Sequence, residues 1–114
     1  GLNGHIGMNE PGSPPDSRCR VVALDPLTVQ TGQKYFSEAK ELEGGLTLGI
    51  GTILESKNIF LLVNGLKKAA VVKTMLEGPV SPQLPASLIL QHPSIRIYLD
   101  KEAASLLSHK HRTN

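Results

Sequence analysis

Apolar residues in this chain come in short bursts, and their spacing alternates between that of strands and that of helices. Val21-Val22-Ala23-Leu24 suits a strand. Pro26, with its fixed φ and missing N–H, suits a first helical turn, and Leu27 to Phe36 continue it as a short helix that ends in a region closed by Gly44-Gly45. Ser37 to Gly45 is polar and acidic, hence surface. Leu46-Thr47-Leu48-Gly49 reads as extended, and Ile50 to Ser56 as a helix facing the sheet with Ile53 and Leu54. Ile59-Phe60-Leu61-Leu62-Val63 is the strongest strand signal, a continuous run of the kind found in a parallel sheet covered on both faces. Asn64-Gly65 breaks it. Leu66 to Glu77 then follows helical spacing, with Leu66, Ala69, Ala70, Val72, Lys73 and Leu76 over a partly apolar face, and Gly78-Pro79 stops it. Pro85-Ala86-Ser87 opens another short helix. Ile95-Arg96-Ile97-Tyr98-Leu99 alternates as a strand, and Asp100 caps a predicted helix through Ala103, Leu106 and Leu107.

Strands alternating with helices predict an α/β fold, three layers with a Rossmann-like, largely parallel sheet. Pro11-Gly12-Ser13-Pro14-Pro15-Asp16-Ser17 is turn chemistry, and no internal repeat competes with this order. A chain of 114 residues with 39% hydrophobic content fits one modest domain with its own core. A formal charge of +2, with scattered basic residues, gives no electrostatic footprint for nucleic acid. The basic cluster His109-Lys110-His111-Arg112 falls in a segment, 108–114, expected to be a flexible tail. The lone Cys19 has no internal disulfide partner, and a buried or incidental thiol in a reducing compartment is its default reading. No apolar run reaches bilayer length and no signal-peptide pattern is present, so the expectation is a cytoplasmic protein that does not engage a membrane.

Candidate chemistry concentrates in the first eleven residues, Gly1-Leu2-Asn3-Gly4-His5-Ile6-Gly7-Met8-Asn9-Glu10-Pro11. Gly4 and Gly7 permit positive φ and close approach of a ligand. His5 has its unperturbed pKa nearest neutrality, and Glu10 is placed to accept a ring N–H, so the two make an acid/base pair. Lys68 follows a strand and a glycine turn and lies in the first turn of a helix, where free N–H groups already attract anions; adjacent Lys67 is the solvated alternative. No Cys/His spacing suggests a metal, and neither a P-loop nor a dinucleotide fingerprint is present.

The string NGHIGMNEPG resembles the loop of the glucosamine-6-phosphate deaminase/isomerase family, commonly (D/N)GHI(A/G)FNEP, with Met8 where Phe is usual. The related 6-phosphogluconolactonases usually carry a DGHTASLFP-like loop, so Asn9-Glu10-Pro11 sides with the deaminases. Further resemblance follows in order at Leu46 to Leu54, Gly65-Leu66-Lys67-Lys68-Ala69, Leu76-Glu77-Gly78-Pro79-Val80, Pro85-Ala86-Ser87 and Leu90-Gln91-His92-Pro93. It covers the chain to about Leu107 and corresponds to the C-terminal half of a typical member. With the opening on Gly1 inside a catalytic-looking loop, this sets the expectation that 1–114 is one half of a single deaminase domain in a longer protein.

The resemblance implies deamination and isomerisation of a hexosamine 6-phosphate, with glucosamine 6-phosphate giving fructose 6-phosphate and ammonia, and without a cofactor. It implies that His5 opens the sugar ring, supported by Asn3 and Glu10. Asn3 stands where many members have Asp, and an amide cannot share a proton or charge with histidine. Lys68 matches the phosphate-binding lysine of G-x-x-K-A, and Lys34 falls where a second phosphate contact, usually Arg, sits on a mobile lid; plain solvent exposure is the alternative for Lys34. Ser13 and Arg20 resemble parts of an allosteric site whose further basic position is here Val22, an incomplete set. His92 reads as packing or capping. Lys34 and Val22 leave room for galactosamine 6-phosphate, giving tagatose 6-phosphate, and a non-catalytic sugar-phosphate sensor is the reading from another class. Members range from monomers to hexamers, so a homo-oligomer stays open, and the isolated half is expected to be inert.

Overall fold

Two parallel strands anchor the core. In the computed structural model, which describes residues 1–108, β3 (Ile59–Val63) pairs with β4 (Ile95–Leu99) in a register running from Ile59 opposite Ile95 to Val63 opposite Leu99. Parallel neighbours need a crossover. Here it runs through a 3₁₀ turn (Leu66–Lys68), α3 (Ala69–Glu77), α4 (Pro85–Leu88) and a second 3₁₀ turn (Ile89–Gln91). The fold is α/β, as the alternation of elements predicts.

The run Ile59–Val63 was expected to be covered on both faces, and within this chain one face is open. Ile59, Leu61 and Val63 turn inward while Phe60 and Leu62 stay exposed, matched on β4 by exposed Arg96 and Tyr98. The Arg96 guanidinium lies 5.9 Å from the Phe60 ring centre. An unbroken apolar run signals burial without saying which segment supplies the cover.

α3 buries Ala69, Val72 and Met75. Met75, not singled out by spacing, belongs to the inward stripe, whereas Leu66 and Ala70 are exposed. The stripe at i, i+3 and i+6 sits slightly rotated from the predicted face. Val72 packs with Ala103 and Leu107, and Val63, Leu76, Leu99 and Ala104 close around them.

The predicted helix through Ala103, Leu106 and Leu107 is instead a series of turns, with Leu106 exposed. Asp100 does cap: its Oδ1 accepts from the Ala103 amide at 2.7 Å. Its Oδ2 also accepts from the Gly65 amide at 2.9 Å, so one carboxylate ties together two turns at the ends of β4 and β3.

A second pair, β1 (Arg20–Ala23) and β2 (Gly44–Thr47), is antiparallel, with Arg20 opposite Thr47 and Ala23 opposite Gly44. Gly44-Gly45 therefore lies in a strand and does not end the preceding helical region. That helix, α1 (Pro26–Gly32), runs into a 3₁₀ turn (Gln33–Tyr35). Asp25 caps it, accepting from the Leu27 amide at 2.9 Å, with Pro26 at the first position. The polar segment after it folds back through Gln33, whose amide group donates to Lys40 O and accepts from Lys40 N, each at 2.8 Å.

α2 (Ile50–Leu54) begins against the Pro-rich turn. Ser17 Oγ accepts from the Ile50 amide at 2.9 Å and Ser17 O from the Gly51 amide at 3.0 Å. Gly49 lets the two backbones meet, because a Cβ there would overlap the Ser17 carbonyl. Ile50 is fully buried, while Ile53 and Leu54 are half-buried.

His92 has the packing role read from sequence. Its Nδ1 accepts from the Ser94 amide at 3.0 Å, which makes Nε2 the donor to Ser56 O at 2.7 Å. Cys19 is exposed, which removes the buried alternative and leaves the incidental thiol. No helix among the described residues is long and apolar enough to cross a membrane. The basic positions 109–112 and all but the first residue of the expected tail lie outside the described residues.

Candidate active site

The loop carrying His5 is built by its own polar side chains. Ile6 and Asn9 form a two-residue bridge, with Asn9 N donating to Ile6 O at 2.9 Å. Asn9 is fully buried. Its Nδ2 donates to Ile6 O at 2.8 Å and Leu48 O at 2.7 Å, and its Oδ1 accepts from Arg20 Nη1 at 2.8 Å. Thr47 completes the seam by accepting from the Met8 amide at 3.0 Å. Gly4, at φ +78°, turns the chain just before the histidine, and its carbonyl accepts from the Ala86 amide at 2.8 Å, docking the loop on α4.

That scaffold brings Asn3, His5 and Glu10 together. Asn3 Nδ2 donates to Glu10 Oε2 at 2.8 Å, and Asn3 Oδ1 accepts from the backbone amide of His5 at 3.2 Å. Asn3 thus holds the His5 main chain and the carboxylate, with no bond to the ring itself. Glu10 Oε2 stands 3.6 Å from His5 Nδ1, within ion-pair reach of a protonated ring but beyond an ordinary hydrogen bond. Its other oxygen, Oε1, is buried without a hydrogen-bond partner among the described residues. The nearer group to Nδ1 is one that no sequence pattern marks: Thr28 Oγ1 on α1, at 3.2 Å.

Lys34 and Lys68 reach the same place from opposite sides. A cleft of about 460 Å³ is lined by Asn3, His5, Thr28, Thr31, Lys34 and Lys68. A smaller recess of about 150 Å³ shares His5 and Lys68 and is walled by Leu61, Val71 and Met75. Lys68 is half-buried at the start of α3, and no residue among those described forms an ion pair with it. Lys34 is exposed, its ammonium 5.1 Å from the Tyr35 ring centre. Glu10 stays behind His5 and does not line the cleft. Ser13 and Arg20 have local partners: Ser13 Oγ donates to Glu10 O at 2.7 Å, and Arg20 donates to Asn9. Among the described residues no three His, Cys, Asp or Glu side chains converge on a metal-sized space.

Burial pushes the His5 imidazole below its ordinary value of 6.5; the Lys68 ammonium adds to the effect and the Glu10 carboxylate opposes it. The sign follows directly. A histidine kept neutral by the fold contributes stability that is intact above the unfolded-state value and is lost as pH falls through the lower folded value. Proton NMR titration of the His5 ring is expected to give a midpoint below 6.5. A midpoint at or above that value would mean that Glu10 outweighs burial.

No family model matches the chain. Curated relatives are nevertheless close. The glucosamine-6-phosphate deaminase of Rhodopirellula baltica is 48% identical over 108 residues, covering 94% of this chain and 43% of that protein. That of Lacticaseibacillus paracasei is 46% identical over 111 residues, covering 96% and 47%. A solved structure of a monomeric glucosamine-6-phosphate deaminase superposes with a TM-score of 0.88 at 46% identity, over 93% of this chain and 44% of that one. The chain belongs to the glucosamine-6-phosphate deaminase family. It spans less than half the length of the curated relatives it matches, 42% to 47%. The 6-phosphogluconolactonases of Trypanosoma cruzi and Trypanosoma brucei share the fold, with TM-scores of 0.67 and 0.68 at 21% and 23% identity. Family membership agrees with the deaminase-type Asn9-Glu10-Pro11 in the loop.

Proposed function

We propose that the protein containing this chain is a cytoplasmic deaminating isomerase of a hexosamine 6-phosphate, to which residues 1–114 contribute the C-terminal half of one domain. The observation that carries the reading is the convergence of His5, Asn3, Lys34 and Lys68 on one cleft. Two ammonium groups and one neutral imidazole suit an anionic sugar phosphate whose ring must open.

Opening a hemiacetal requires a proton to leave the anomeric hydroxyl and another to reach the ring oxygen. One imidazole serves both transfers if it takes the first proton and delivers it to the second site. His5 fits that task because burial favours its neutral ring and because Nε2 has no partner among the described residues. Glu10, ionised and close to Nδ1, favours the imidazolium formed midway. Asn3 keeps Glu10 and the His5 backbone in fixed relation. Lys68, at a helix start, and Lys34, on the segment after α1, hold the phosphate. Proton transfer at the sugar C2 falls to a residue outside this chain, and no redox cofactor enters the reaction.

Incubating the full-length protein separately with glucosamine 6-phosphate and galactosamine 6-phosphate, while measuring ammonia and ketose phosphate together, tests the reading. Equimolar release of both products from either sugar supports it and gives the epimer preference, since a site that reads a hydroxyl discriminates strongly. Binding of either sugar phosphate without products would replace it with a sensor.

A further inference from the structure

The nearest group to His5 Nδ1 is on neither the loop nor its supporting carboxylate. Thr28 Oγ1 reaches it from α1 across 3.2 Å, inside the 3.6 Å that separates Nδ1 from Glu10 Oε2. Thr31, three residues on, spends its hydroxyl on Leu27 O at 2.8 Å, the usual habit of a helical threonine. Thr28 has no such backbone acceptor, and His5 Nδ1 is the only hydrogen-bond partner of its hydroxyl among the described residues. A threonine hydroxyl can donate or accept, but among the described residues Nδ1 is the one acceptor within reach of the Thr28 hydrogen; with the hydroxyl as donor, Nδ1 is the acceptor and the ring proton sits on Nε2. Glu10 can only accept, so a ring held by Glu10 must carry its proton on Nδ1. The two groups therefore call for opposite tautomers of the same imidazole.

We infer that Thr28 is a positioning residue that competes with Glu10 for His5 Nδ1 and so decides which ring nitrogen bears the proton toward the cleft. With Thr28 donating, Nε2 carries hydrogen and the neutral ring offers the cleft a hydrogen bond but cannot take a proton there. With Glu10 as partner, Nε2 presents a lone pair and the ring is set to take one. Glu10 has the capacity for that second state, because Oε1 is buried without a partner. Thr28 also shares its segment with Lys34, two elements of one connected stretch lining the same cleft. This inference rests on the ring-opening role proposed for His5, although the tautomer it specifies exists without any substrate.

The charged side chains that face His5 are Glu10, Lys68 and Asp25. Replacing Thr28 leaves all three in place. A hydrogen bond donated to the neutral ring lowers the pKa, so its loss raises it. The experiment is nitrogen-15 NMR of histidine-labelled full-length protein as wild type, T28V and T28S, with His5 assigned through H5Q. Wild type and T28S are expected to show the Nε2–H tautomer of His5. T28V is expected to move toward Nδ1–H, with its titration midpoint raised by about half to one pH unit, the equivalent of one neutral hydrogen bond. A wild-type ring already in the Nδ1–H form, or a T28V spectrum and midpoint equal to wild type in folded protein, overturns the inference. Turnover measured on the same samples separates the two ideas: absent ammonia release with the predicted tautomers would sink the isomerase and spare the threonine.

Discussion

Replacing His5 with glutamine in the full-length protein is expected to lower kcat/KM for hexosamine 6-phosphate by about 10²- to 10⁴-fold, the usual contribution of one acid/base group. Glutamine keeps a polar side chain of similar reach and so spares the Thr28 contact in part, while it cannot carry a proton between two oxygens. The residual rate has a distinctive form. Ring opening also occurs spontaneously in solution, so an enzyme that has lost only that step still processes the open-chain sugar. Its velocity should level off as enzyme concentration rises, limited by the uncatalysed opening, whereas the wild-type velocity stays proportional to enzyme. KM should change little, because phosphate binding by Lys68 and Lys34 is untouched. Near-normal turnover in this variant would remove His5 from the chemistry.

How much of this was visible in the sequence depends on how far apart the interacting residues lie. Pro26, Asp25 and the run Ile59–Val63 announce their elements through local rules, and the structure places a capped helix and a strand there. The loop around His5 is legible as a candidate site because Asn3, His5 and Glu10, which the structure brings together, crowd into one short string. Where the reading failed, distant contacts had decided. Asp100 was a sound cap, yet the same carboxylate also serves Gly65, and the chain after it makes turns in place of a helix. Gly44-Gly45 looked like a stop signal because glycine disfavours helices, and its pairing with Val22 and Ala23 in a strand is not a local property. Thr28 lies 23 positions from His5 and the Thr47 hydroxyl 39 from Met8, separations at which no pattern in a single sequence connects them. Glu10 stands out in the sequence as a candidate partner of His5, but its place as a carboxylate held by Asn3, a little beyond bonding distance of the ring, depends on side-chain geometry.

Asn9 supplies the largest expected loss of stability. It is fully buried, and its side chain closes three hydrogen bonds that join the His5 loop, the end of β2 and Arg20. Truncation to alanine removes all three together. Each net bond contributes about 1 kcal/mol, rising to about 1.5 kcal/mol where the partner left behind is partly shielded from water or charged, as the Arg20 guanidinium is. The total for Asn9→Ala is about 3–5 kcal/mol. At about 2–4 °C per kcal/mol for a domain of 150–250 residues, Tm of the full-length protein should fall by roughly 6–20 °C. Aspartate in the same position is the informative comparison. It preserves volume and strengthens the contact with Arg20, yet it can no longer donate and sets an anionic oxygen against two carbonyl oxygens. If Asn9→Asp loses nearly as much as alanine, the two donated bonds are what hold the loop. If it retains wild-type stability, Arg20 is the dominant partner. In either case activity should fall further than stability, because the bridge between Ile6 and Asn9 sits between His5 and Glu10 and fixes the 3.6 Å between them.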